Sequence, residues 1–273
     1  MGQIYFCYTL NILSEMPHSL ALSAMDRCSV TRDTLARWQT LADQMRTNQQ
    51  ANGLYEQHDG YFDLPHQDIA GIPQKDFPLY SHWSYDRLYR TDMIKQPDIL
   101  MLMYLYPEWY SQETTRVNYE FYAQRCIHES SLSPGIHAIL ACRLGLTRQA
   151  KAFFKYATRL DLDDYNNNTG EGLHNTGIAA AWSVIVFGFA GLRAFEETPA
   201  LRPFLPENWT GYTFQVLLKK TRIQIEVSAQ GVTLTKLEGP SLLLQLYDQL
   251  CEVKDEPLHA ALKDTGAAYE TLK

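Results

Sequence analysis

The stretch His128-Glu-Ser-Ser-Leu-Ser-Pro-Gly-Ile-His-Ala-Ile-Leu-Ala-Cys-Arg-Leu-Gly145 joins a polar entry to an apolar run with clear start and stop signals. Ser133-Pro134 opens a helix, because a proline in the first turn gives up an N–H that has no intrahelical partner anyway. Gly145 closes it, as the residue best able to take the left-handed conformation just past a helix end. Working outward, residues 114–126 suit a helix before this one, and residues 148–159 suit another that follows after a very short turn. Pro97 falls in the first turn of a helix over 97–106, which Pro107 ends. A last helix spans 174–187 and stops at Gly188. Near the N-terminus, Leu35, Trp38, Leu41 and Met45 share one helical face with Thr31 as N-cap, and residues 4–13 make one more helix.

The texture changes near residue 198. Pro199, Pro203 and Pro206 lead into Thr213-Phe-Gln-Val-Leu-Leu, Arg222-Ile-Gln-Ile-Glu-Val and Val232-Thr-Leu-Thr-Lys-Leu. These runs alternate with a period of two, and Ala229-Gln230-Gly231 marks a hairpin turn between the last two. Residues 242–246 add a strand. The expectation is a mainly α chain, with helices over 1–197 and a small antiparallel β domain over 198–273.

The 273 residues, 45% hydrophobic and 20% charged, suffice for a buried core. A net charge of -7 without a Lys/Arg-rich run argues against nucleic acid as a main partner. Cys7, Cys28, Cys126, Cys142 and Cys251 form no CxxC pair, which suits core thiols in a reducing, cytoplasmic setting. Polar residues interrupt the opening stretch, so it does not read as a signal peptide. The longest apolar run, 99–106, is too short to span a bilayer. The eight histidines show neither HxxxH nor HExxH spacing, so no metal is expected.

Short connections make successive helices antiparallel, so the helices over 97–106, 134–144 and 174–187 point the same way. The segments before their N-termini are Lys95-Gln96, His128-Glu-Ser-Ser-Leu-Ser133 and Glu171-Gly-Leu-His174. Converging helix N-termini favour anions, and serine hydroxyls and a histidine add donors. The alternative is that the serines only cap a helix and that Lys95 snorkels to solvent. Asp161, Asp163 and Asp164 resemble an EF-hand calcium loop, but Asn166 stands where that loop needs Gly and Gly172 where it needs Glu. Turn and capping roles suit these aspartates better. Asp59-Gly-Tyr-Phe-Asp63 holds two carboxylates able to act as acid and base, although Asp-Gly is also a common turn pair. Tyr55, Tyr61, Phe62, Trp83 and Tyr85, in a long loop, suit sugar stacking or core filling.

Five collinear blocks together resemble glycoside hydrolase family 65, which includes maltose, trehalose and kojibiose phosphorylases. They are Asp59-Gly-Tyr-Phe-Asp63, Ile94-Lys-Gln-Pro-Asp98, His128-Glu-Ser-Ser-Leu-Ser-Pro134, residues 160–174, and Gly188-Phe-Ala-Gly-Leu-Arg193. The resemblance implies the C-terminal half of an (α/α)6 toroid followed by a small antiparallel β domain. It also implies inverting phosphorolysis of an α-glucoside to β-glucose 1-phosphate, with inorganic phosphate as co-substrate and no cofactor. Lys95 and Gln96 would hold the cleaved glucose; Ser130, Ser131 and His174, helped by backbone around Gly172, would hold phosphate.

The chain also departs from the family pattern. The resemblance places the general acid in a Glu motif ending in Tyr-Thr-Asn, and that motif is not among these residues. Gln3-Ile-Tyr-Phe-Cys-Tyr-Thr-Leu resembles the helix that follows it. The expectation is therefore a truncated, inactive piece of an α-glucoside phosphorylase. Its exposed helix faces would pair with a second copy or with a complementary N-terminal half. The alternatives are a sugar- or phosphate-binding remnant, a subunit of a split enzyme, or a trehalose-type hydrolase.

Overall fold

A computed structural model describes residues 2–263, in two compact units that divide between Gln50 and Ala51. The first unit holds α1 (Gly2–Glu15), α2 (His18–Arg27) and α3 (Arg32–Gln44). Thr31 caps α3 in a reciprocal box with Thr34, whose N–H donates to Thr31 Oγ1 at 3.1 Å. The buried residue of α3 is Ala42, while Leu41 is 39% exposed, so the inward face is turned away from Leu41. There Gln3 Nε2 donates to the Ala42 carbonyl at 3.1 Å and Phe6 lies 6.2 Å from the Trp38 ring. The sequence reading missed α2, because its apolar spacing is weak.

In the second unit, residues 51–97 hold the short helices α4 (Leu79–His82) and α5 (Tyr85–Tyr89). Side chains anchor this segment. Fully buried Asn118 accepts from the Tyr55 N–H at 2.9 Å and donates to the Gly53 carbonyl at 2.8 Å. Tyr61 donates to the Asp92 carbonyl at 2.5 Å, and the Asp92 carboxylate takes Arg125 Nε at 2.7 Å. Gly60, at φ 79°, starts the turn that buries Tyr61, so the Asp-Gly pair serves a structural turn.

Five longer helices follow: α6 (Asp98–Leu105), α7 (Gln112–Tyr122), α8 (Ser133–Arg143), α9 (Thr147–Arg159) and α10 (Asn175–Ser183). The π-helical turn Val184–Phe189 continues α10, so the chain runs past Gly188 instead of stopping there. Pro97 sits one residue outside α6, as its cap. Residues 133–142 of α8 are all buried, which makes it the central helix of the unit. It ends as a Schellman motif: Leu146 N–H donates to the Ala141 carbonyl and Gly145 N–H to that of Cys142, with Gly145 at φ 72°. A Cβ on Gly135 would come within 2.8 Å of Ala180 Cβ, so glycine there lets α10 lie against α8.

Strands β1 (Ala200–Leu201), β2 (Gly211–Leu218), β3 (Thr221–Ser228), β4 (Gly231–Glu238), β5 (Leu242–Leu246), β6 (Gln249–Val253) and β7 (Leu258–Ala260) form two sheets, ordered β2-β3-β4-β7 and β1-β5-β6. All pairings are antiparallel except β1 with β5. Strand β3 buries Ile223, Ile225 and Val227 on one face, as its two-residue alternation requires. Lys219 and Lys220, both at positive φ, form the β2–β3 turn, the conformation that matches strand twist. Phe189 meets Phe204 at 5.6 Å and Trp209 at 5.4 Å, so helices and strands share one core.

Candidate functional site

Strand-like pairing of two loops builds the site. Ile94 bridges Cys126 in parallel: Ile94 N–H donates to the Arg125 carbonyl at 2.8 Å and Ile127 N–H to the Ile94 carbonyl at 3.0 Å. The residues that follow on each side, Lys95-Gln96 and His128 to Ser131, are thereby brought together ahead of α6 and α8. The third segment precedes α10 and is tied in by Ser131 Oγ and Thr176 Oγ1, 3.1 Å apart.

These segments line an open cavity of ≈ 550 Å³. Of the six residues singled out from the sequence, Lys95, Gln96, Ser130, Ser131 and His174 line it, whereas Gly172 is not among its lining residues. Gly172 stands at φ 121°, just before the segment that carries His174. Tyr85 is the one loop aromatic of the five to reach the cavity; it stacks on Tyr89 with centroids 5.8 Å apart and lies 70% exposed. Tyr55, Tyr61 and Phe62 pack into the core instead, and Trp83 lies under the Arg87 guanidinium.

Some of these polar groups have named partners. Lys95 Nζ lies 5.0 Å from the centre of the Tyr80 ring. Asp161 grips His174 twice, taking its backbone N–H at 2.8 Å and its Nδ1 at 2.5 Å. A carboxylate at Nδ1 fixes the hydrogen on that nitrogen and leaves Nε2 as the ring's other polar atom. Asp163 instead pairs with Arg159, with Nε to Oδ2 at 2.6 Å, and Asp164 accepts from the Thr169 N–H at 3.0 Å. The three aspartates thus orient a histidine and tie a turn.

Glu129 lies in one of the segments expected to converge, but the sequence reading assigned it no role of its own. It is buried, lines the cavity, and accepts the Leu79 N–H with Oε1. Burial raises its carboxyl above the usual range, against the opposing pull of that N–H and of Lys95. Tyr80, Tyr89, Asn168 and Glu171 also line the cavity; none was given a role from the sequence, although Glu171 lies in a converging segment and Asn168 in a family block. The available signal was adjacency: Glu129 and Glu171 flank residues already chosen.

Behind the cavity floor, Cys126, His128 and His137 place their ligand atoms within 4.8 Å of one another, the one such trio among the described residues. Donors of this softness could hold zinc or copper. Burial favours the neutral forms, pushing the Cys126 thiol up to about 12 and His137 down to about 4. His137 Nδ1 donates to the Ser133 carbonyl at 2.8 Å, and His128, at φ 54°, places Nδ1 3.0 Å from Ser133 Oγ. Ser133 thus orients both rings.

Residues 1–183 match the glycosyl hydrolase family 65 central catalytic domain, and residues 192–253 match the family's C-terminal domain. Maltose phosphorylase of Bacillus subtilis (strain 168) is 39% identical over 196 residues, which are 72% of this chain and 26% of that protein. Alpha,alpha-trehalose phosphorylase of Thermoanaerobacter brockii is 34% identical over 253 residues, 91% of this chain and 33% of that protein. A solved structure from the human microbiome, of a protein provisionally named kojibiose phosphorylase, superposes with TM-score 0.84 at 43% identity, covering 94% of this chain and 36% of that one. The chain therefore spans roughly a quarter to a third of the length of these relatives. No helix among the described residues is long and apolar enough to cross a membrane. With both domain matches and the cavity built from its motif residues, the chain belongs to glycoside hydrolase family 65.

Proposed function

We propose that the cavity is the glucose and phosphate floor of an α-glucoside phosphorylase site. One observation carries this reading: Lys95, Gln96, Ser130, Ser131 and His174, drawn from three distant segments, line one cavity. Lys95 and the Gln96 amide bind hydroxyls of the glucose to be cleaved. Ser130, Ser131 and His174 hold phosphate beside the anomeric carbon. A phosphate oxygen bonds to that carbon from the face opposite the glycosidic oxygen, the glycosidic C–O bond breaks, and an acid protonates the leaving oxygen. Phosphate brings its own nucleophilic oxygen, so no second carboxylate is needed as base, and its fixed position supplies much of the rate. The product is β-glucose 1-phosphate.

The proton comes from a Glu motif that these residues do not include, so turnover requires it to be supplied in addition. In this reading residues 1–197 are part of an (α/α)6 toroid and residues 198–273 a small C-terminal β domain; residues 1 and 264–273 of these spans lie outside the described residues. The exposed Ile178 and Trp182, one turn apart on α10, support a covering partner, either a second copy or a complementary half.

The test is β-glucose 1-phosphate formation from maltose, trehalose and kojibiose with phosphate, by the chain alone and with a complementary family segment carrying the Glu motif. Product only in the completed assembly, at least ~10-fold reduced by Lys95→Ala, is expected. Turnover by the chain alone overturns the need for an added acid. Glucose release that ignores phosphate favours a hydrolase. Phosphate binding by the chain, with no turnover in either setting, favours a binding remnant.

A further inference from the structure

Glu129 puts a negative group where an anion site should avoid one. It lines the cavity beside Ser130, Ser131, His174 and Lys95, yet is only 5% exposed. Glu171, the other lining carboxylate, is exposed, so water screens it. Glu129 has no such screening, and Lys95 is the one permanent cation among the lining residues. A bare oxyanion brought beside Glu129 meets like charge in a weakly screening environment. An oxyanion that still carries a proton meets a hydrogen-bond acceptor instead.

We propose that Glu129 accepts a hydrogen bond from the protonated oxygen of bound phosphate, making the cavity selective for protonated tetrahedral oxyanions over sulfate. The proposal rests on the phosphate role given above. Near neutral pH inorganic phosphate and arsenate keep an O–H, and sulfate has none. Glu129 Oε1 is already occupied by the Leu79 N–H, which fixes the carboxylate and leaves Oε2 as its free acceptor side. Hydrogen bonds to an ionised acceptor are the strong ones, and leaving such an acceptor unmatched is correspondingly expensive. The upward pull of burial on this carboxyl eases the sharing of a proton with the guest. No bond to phosphorus changes in this step; the proton stays between the two oxygens.

Isothermal titration of the 273-residue chain with phosphate, arsenate and sulfate, at constant ionic strength near neutral pH, tests this. Phosphate and arsenate are expected to bind at least ~10-fold more tightly than sulfate. Glu129→Gln keeps an oxygen for the Leu79 N–H and gains an amide donor for sulfate, so the phosphate-to-sulfate ratio should fall toward one. Equal affinity of the unmodified chain for phosphate and sulfate overturns the proposal but leaves the phosphate site standing. An unchanged ratio in Glu129→Gln, with an unaltered circular dichroism spectrum, does the same. Absence of any phosphate or arsenate binding removes the phosphate site itself, and this proposal with it. The comparison of anions on the unmodified chain decides the matter even if the variant does not fold.

Discussion

Strand β3 and helix α8 are both buried, but they bury different things. Strand β3 faces the core with Ile223, Ile225 and Val227, each 0% exposed, and sends Arg222, Gln224 and Glu226 the other way. Helix α8 is buried on all sides, and Ser133 and His137, both 0% exposed, are buried with it. Apolar burial needs no partner of particular chemistry, whereas every buried polar group must find a hydrogen bond or lose solvation without return. The sheet is therefore a support whose parts are interchangeable in kind, while the polar layer behind the cavity floor is a network whose parts are not.

That contrast can be broken most forcefully at the sheet. Ile225→Ala should remove about 2–5 kcal/mol of stability, read from urea unfolding, while the folded fraction keeps the phosphate affinity proposed above. A parallel loss of phosphate affinity in folded protein would show that the support is not separable from the floor.

Acid should act instead on the polar layer behind the cavity floor. His137 is pushed down to about 4 from 6.5, and His128 is lowered too, both by burial. The unfolded chain then binds more protons than the folded one between these values, so stability is complete above about 6.5 and falls as the pH drops toward 4. The His137 part amounts to ~3 kcal/mol over that window. Denaturant midpoints measured across it should show the slope, and His137→Asn should flatten it.

Gly135→Ala is a smaller perturbation that sharpens the comparison, because it forces α8 and α10 apart where the new Cβ would meet Ala180 at 2.8 Å. A loss of about 1–3 kcal/mol is expected by thermal melting, with phosphate affinity weakened as the third segment shifts. Lys95→Ala should change stability least, within about 0.5 kcal/mol, since Lys95 is exposed. Its effect belongs in ligand titrations, where glucose affinity should drop.

Legibility in the sequence followed the same division. The strands over 211–218, 221–228 and 231–238 follow from a period of two, and α8 and α9 from Pro134, Gly145 and helical spacing. Five of the six chosen site residues reach the cavity because each lies next to a helix start, a position that local rules identify. Glu129, though in a segment expected to converge, was given no role because its partner, the Leu79 N–H, lies 50 residues away, and no local pattern marks a carboxylate as buried. The π-turn after Ser183 was missed because Val184–Phe189 is as apolar as an ordinary helix end. Tyr55, Tyr61 and Phe62 could equally have been cavity walls; contacts with Tyr110, Phe121 and Tyr122 made them core.

The sequence by itself determined most of the longer elements, the hairpin at residues 229–231, the family and the residues that border the helix starts, because spacing, turn chemistry and motif order are local properties. Tertiary structure decided which of those residues share a cavity, that Asp161 orients His174, and that a buried Glu129 stands among groups suited to an anion. Those outcomes depend on contacts between distant segments, and burial and electrostatic environment exist only once such contacts have formed.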